Sequence, residues 1–280
     1  MPSKDVSTVS DVIHAAERLW PLAGAEAWDA IGLLAGDPRA SVTRIHLTVD
    51  AVPDTADEAV SLGAELLIAH HPLLLRGVTS VAEDRFKGAV ISRLIRGGCA
   101  LYAAHTNADV VDTGTSAVLA QLLGLVESTA ITASPSGVGT STSGIGRVGR
   151  LPHSVTLGHL ARTVAELLPP TASGVRVSGD FDRPVTTIAL CAGAGDSYLD
   201  DPAVQAADVY LTSDLRHHPA SAFRENAKLV DGPALIDVSH WASEWLWLDT
   251  AARELREALP GVTVTVSELR TDPWDFAIVQ

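Results

Sequence analysis

The stretch LLIAHHPLLLRG, residues 66–77, decides how the rest of the chain is read. With the preceding Glu65, the run ELLIA (65–69) has the length and composition of a buried strand. Two imidazoles, His70 and His71, follow at its carboxyl end, and Pro72 breaks it. In open α/β sheets that end is where ligands bind. Successive strand side chains point to opposite faces, so the pair reads in two ways. It is a satisfied core histidine beside a surface one, or two rings reaching one cavity.

The flanks settle the fold class. Upstream, RIHLTVDAV (44–52) alternates as a strand, and a helix over about 54–62 ends at Gly63. Downstream, RFKGAVISRLIRGG reads as a helix and CALYAA as a strand. At the start, Thr8 and Asp11 form a capping-box-like helix start, Pro21 stops the helix, and Val9, Val12, Ile13, Ala16, Leu19 and Trp20 follow the 3.6 period. Strands alternating with helices predict a parallel or mixed sheet covered on both faces.

A Gly/Ser/Thr-rich stretch, TASPSGVGTSTSGIG (132–146), interrupts the alternation as a loop or boundary. Beyond it come helix TLGHLARTVAELL, strands VRVSG, TTIALCAG, DVYLTS and ALIDV, and a short helix after His218. A helix over ASEWLWLDTAARELREAL and a strand TVTVSEL complete the chain. The expected architecture is α/β: two three-layer units with mostly parallel or mixed sheets, residues 1–128 and 129–280. The C-terminal helix and strand are free to pack back on the first unit.

At 280 residues there is room for two such cores. Twenty Lys and Arg against 34 Asp and Glu leave a net charge of −14, which argues against non-specific binding to nucleic acid or to anionic membranes. No secretory leader is legible in the first twenty residues, and no apolar run approaches the roughly 18 residues of a membrane span. Cys99 and Cys191 lie in unrelated apolar segments, so buried thiols in a reduced, cytoplasmic setting are expected.

Other strand ends add donors. LYAAHTNADVVDTG ends a strand in His105, Asn107 and Asp109, and ALIDVSHWASEW supplies His240 and Glu244. If a helix begins at His240, the i, i+4 spacing puts both on one face. This mixed nitrogen and oxygen set suits borderline transition metals rather than calcium. A second HHP, at 217–219, follows a polar turn and leads into a helix, so from the residues alone it reads as a helix start capped by Asp214, with His217 and His218 exposed. GIGRVG (144–149) matches a dinucleotide fingerprint, but Pro152 prevents the helix that a pyrophosphate turn must open. Trp241, Trp245 and Trp247 read as packing residues.

At this point the sequence resembles the dinuclear-metal-centre family called GTP cyclohydrolase I type 2, also described as NGG-interacting-factor-3-like. The matching pieces are WDAIGLLAGDP (28–38), AHHPLL (69–74), HTNADVVDTGTSAVLAQLLGL (105–125), GIGRVGRL (144–151), DVYLTSDLRHH (208–218) and LIDVSHWASE (235–244), in the family's order. Ala30, Ser213 and Ser239 depart from its usual Asn, Gly and Gly, and the large inserted middle domain of some members is absent.

The resemblance implies a metal site in a cleft between the units. His70 and His71 each serve a different ion, Asp109 joins one, His240 the other, and Glu244 bridges both. It leaves His105 as a weak ligand or a supporting residue, and Asp214 and His218 as catalytic candidates. It further implies two divalent transition-metal ions per chain (zinc, iron, manganese or nickel) and a homohexamer built as a trimer of dimers. The implied activity is hydrolysis of GTP or a related nucleotide. A phosphoesterase and a non-catalytic metal-binding scaffold or regulator are the alternatives.

Overall fold

The apolar run ahead of His70 forms the strand Leu66–Ala69, buried along its whole length, in a computed structural model that describes residues 6–134, 138–140 and 142–278. It lies in a five-stranded sheet ordered Gly32–Ala35, Ala100–Ala103, Leu66–Ala69, Arg44–Thr48, Thr263–Val266. All pairs are parallel except the first, where Gly32–Ala35 runs antiparallel along Ala100–Ala103. In register, Ile45 faces Leu66 and Leu66 faces Ala100. Leu67, Ala69 and Leu101 pack with Ala56 and Ala59 of helix Pro53–Ser61 and with Val90 and Leu94 of helix Phe86–Arg96. Leu66 and Ile68 point the opposite way and are equally buried, so both faces of the sheet are covered. Each such fully buried Leu or Ile contributes about 1.5–3 kcal/mol.

His46 is a buried polar residue on this sheet. It sits in strand Arg44–Thr48 with its two ring nitrogens 2.8 Å from Thr265 Oγ1 and 3.0 Å from Glu58 Oε2, and Ser267 donates to the same carboxylate. A buried polar group costs little when it is bonded in this way. The first helix, Val9–Leu19, has the expected capping box between Thr8 and Asp11.

By contact the chain divides into residues 1–108 with 248–271, and 109–247 with 272–280. The division falls after Ala108 rather than after residue 128. Helix Thr115–Leu122 explains the difference, because Ser116 Oγ accepts a bond from the Ala192 N–H of the second sheet. The strand Thr263–Val266 belongs with the first unit through its parallel pairing to Arg44–Thr48.

The second unit has a six-stranded sheet ordered Val126–Thr129, Arg147–Thr156, Pro184–Ala194, Val209–Ser213, Ala234–Val238, Arg176–Ser178. Only its three inner strands, from Pro184 to Val238, are mutually parallel. The long strand Arg147–Thr156 is antiparallel to both its neighbours, and Arg176–Ser178 is antiparallel to Ala234–Val238. GIGRVG therefore lies in extended chain that opens no helix. Inside it, buried Arg147 donates to the carbonyls of Gly144, Gly146 and Val111.

Residues 132–146 contribute a short hairpin, Thr132–Ala133 against Gly144–Ile145, and mark no boundary; positions 135–137 and 141 lie outside the described residues. The helix read over 242–259 is two helices, His240–Trp245 and Trp247–Ala258. Trp241 and Trp247 are buried, in keeping with a packing role. Among the described residues no helix is long and apolar enough to cross a membrane.

Candidate metal centre

In the first unit, three imidazoles meet at adjacent strand ends. His70 and His71 close the strand Leu66–Ala69, and His105 follows the neighbouring parallel strand Ala100–Ala103. Their ring centroids are 5.1 Å (His70–His71), 5.2 Å (His70–His105) and 5.5 Å (His71–His105) apart. One ligand-capable atom from each lies within 4.8 Å of the others, which makes the three a group able to hold a metal ion. The two rings of the HH pair thus lie side by side, His70 buried and His71 half-buried.

Each ring is turned by a bond at Nδ1. His70 Nδ1 lies 2.8 Å from the Ala104 carbonyl, His71 Nδ1 2.8 Å from Asp50 Oδ1, and His105 Nδ1 3.0 Å from Asp29 Oδ1. Asp50 is itself held by Thr271 Oγ1, which donates to its other oxygen. Carbonyl and carboxylate oxygens can only accept, so the proton sits on Nδ1 and Nε2 is the atom each ring offers to a cation. Metal-ligating histidines are almost always supported by this pattern.

The Asp29 side chain is fully buried and accepts four bonds, from His105 Nδ1, the Ala30 and Thr106 N–H groups, and Thr106 Oγ1. Burial opposes its charge, but the bonds from His105 and Thr106 outweigh burial and hold the carboxyl far below the usual range.

In the second unit, Ser239 caps helix His240–Trp245 by accepting from the Ala242 N–H, and the i, i+4 spacing brings His240 Nε2 to 3.0 Å from Glu244 Oε1. His240 Nδ1 lies 2.7 Å from Asp214 Oδ2. Burial disfavours the imidazolium, yet the Glu244 and Asp214 carboxylates prevail and push its pKa up to about 11. Asp214 has a left-handed backbone, φ 57°, and helix His217–Val230 has no side-chain cap, so Asp214 braces His240 instead of capping a helix. His217 and His218 are exposed, with ring centroids 5.2 Å apart. Asp109 accepts from Thr115 Oγ1 at 2.5 Å.

Three supporting residues escape sequence reading. Asp29 and Asp50 each lie some 20 to 80 positions from the histidine they turn. Gly193 has φ +71°, and a Cβ there would stand 2.2 Å from Glu244 Oε1 and 3.2 Å from His240 Nε2. The glycine keeps open the space that the carboxylate occupies.

Fold and donors together define a class: a two-unit α/β protein whose strand ends and following helix present histidine and carboxylate groups suited to a metal. The chain belongs to the Duf34/NIF3 (NGG1p interacting factor 3) family, whose model matches residues 7–273. It is 45% identical over 270 residues to a Streptomyces coelicolor protein named GTP cyclohydrolase 1 type 2 homolog, covering 95% of this chain and 93% of that protein. A Mycobacterium tuberculosis protein of the same name is 32% identical, covering 96% and 97%. Among solved structures, a Staphylococcus aureus hypothetical protein superposes with TM-score 0.85 at 27% identity, over 98% of this chain and all of that one. A Bacillus cereus protein related to NIF3 gives TM-score 0.87 at 23% identity with the same coverage, a likeness of fold.

Proposed function

We propose that the chain is a metal-dependent hydrolase that holds two divalent transition-metal ions and acts on GTP or a related nucleotide. The observation that carries this reading is the grouping of the strand-end imidazoles, each turned by an oxygen acceptor at Nδ1 and with a ligand-capable atom within 4.8 Å of the others'. The ligand set is His70, His71, Asp109, His240 and Glu244. His70 and His71 serve different ions, Asp109 joins one, His240 the other, and Glu244 serves both. Of these types only a carboxylate has two anionic oxygens to share, and the space kept at Gly193 fits that use of Glu244.

The mixed donors suit zinc, iron, manganese or nickel. When bound, such a pair supplies Lewis-acid polarisation and a water nucleophilic at neutral pH. Asp214 holds the ring of His240, and Asp214 and His218 are the candidates for contact with substrate. The guanine nucleotide comes from the name carried by the relatives, and the reaction class is hydrolysis at C8 of the purine. A homohexamer, built as a trimer of dimers, comes from the family resemblance, and light scattering should then give about six times the 29.3 kDa chain mass. A cytoplasmic setting fits the two buried, unbridged cysteines.

The test is turnover of the metal-loaded protein against GTP, other nucleotides and phosphodiesters. Purine-ring opening supports the proposal. Cleavage of phosphodiesters alone would make it a phosphoesterase, and full metal occupancy without turnover a scaffold or regulator.

A further inference from the structure

Resting on the metal-binding reading above, we infer that His105 is a third imidazole ligand of the His70/His71 group, and that Asp29 is the positioning residue that aims it. His105 shares with His70 and His71 both features expected of ligands: its ring lies 5.2 and 5.5 Å from theirs, and its Nδ1 is committed to an oxygen acceptor. Its backbone is fixed as well. The His105 N–H donates to Asn107 Oδ1, and Asn107 Nδ2 donates to the Trp20 carbonyl.

The support behind His105 is itself heavily bonded. Asp29 Oδ1 takes His105 Nδ1 and the Ala30 N–H, while Oδ2 takes both the N–H and the hydroxyl of Thr106, whose oxygen in turn accepts from the Glu26 N–H. Four donors on one carboxylate leave the ring a single tautomer and little freedom to swing. A histidine serving only to neutralise a buried aspartate has no need to stand edge-to-face with two other imidazoles. The WDA segment thus reaches the metal through Asp29 rather than through Ala30, where the family's usual Asn is missing.

The experiment compares wild type with His105→Gln, Asp29→Asn and His217→Ala, using chelator competition for zinc affinity and the visible absorption of bound cobalt(II). Circular dichroism and a thermal melt confirm folding. Glutamine can still donate an amide hydrogen to Asp29, so a purely structural His105 would tolerate it. The expected result is weaker zinc binding and an altered cobalt spectrum in His105→Gln. Asp29→Asn has only one accepting oxygen for four donors and should lose about 10–100-fold in affinity, the usual cost of removing a ligand's supporting partner.

His217→Ala should match wild type. Wild-type affinity and spectrum in a folded His105→Gln would overturn the inference while the two-metal reading stands. A wild-type chain that binds neither ion would overturn both. If Asp29→Asn fails to fold, His105→Gln decides alone.

Discussion

Gly193→Ala is the most informative single substitution, because it acts on Glu244 without changing any proposed ligand. A methyl group there would sit 2.2 Å from Glu244 Oε1, so the carboxylate must retreat by about 1 Å to reach ordinary contact. Glu244 is buried and paired with His240, so the retreat displaces both side chains. The backbone contributes separately: at φ +71° an L side chain costs about 1–2 kcal/mol. For a chain of this size that is a fall in melting temperature of roughly 2–8 °C.

Gly174→Ala is the matched control, since Gly174 has φ +58° but open space around its absent Cβ. Both variants should lose thermal stability, Gly193→Ala at least as much as Gly174→Ala, measured by scanning calorimetry after chelation. Only Gly193→Ala should also lose zinc affinity, by at least the roughly 10–100-fold seen when a ligand's support is removed. A folded Gly193→Ala that binds zinc as tightly as Gly174→Ala would refute the placement of Glu244 in the metal centre.

Other expectations concern the same side chains and the thiols. Glu244→Gln keeps the shape but removes the charge that offsets repulsion between two neighbouring cations, so elemental analysis should show both ions depleted. Retention of both ions would exclude the bridging role. In metal-free protein the raised pKa of His240 contributes stability that is complete below its ordinary value near 6.5 and is lost as pH rises toward about 11. Denaturant midpoints should therefore decline from pH 7 to 10, and less steeply in His240→Gln. Burial pushes the thiols of Cys99 and Cys191 up to about 12, so iodoacetamide at pH 8 should label neither until the chain is unfolded. Rapid labelling of the folded protein would contradict their burial.

Much of this protein is legible along the chain. The helix start at Thr8, the strand Leu66–Ala69 and the i, i+4 pair His240 and Glu244 are local matters, written in periodicity, caps and helical spacing. The metal-type donors could be named for the same reason: histidine and carboxylate at strand ends are visible as letters. Other features were not legible. Strand Arg147–Thr156 carries Arg147, Pro152 and His153, which hide its period, and it forms because two neighbouring strands pair with it. The unit boundary after Ala108 follows from where helix Thr115–Leu122 packs, which no local signal encodes.

The direction each imidazole faces was decided by the tertiary structure alone. Asp29 reaches His105 across 76 positions and Asp50 reaches His71 across 21, while Thr271 braces Asp50 from 221 positions away. A hydrogen bond holds a ring only when both partners are delivered to within about 3 Å. Delivery over such separations is the work of the folded sheet, so the identity of the donors lies in the sequence and their aim lies in the fold.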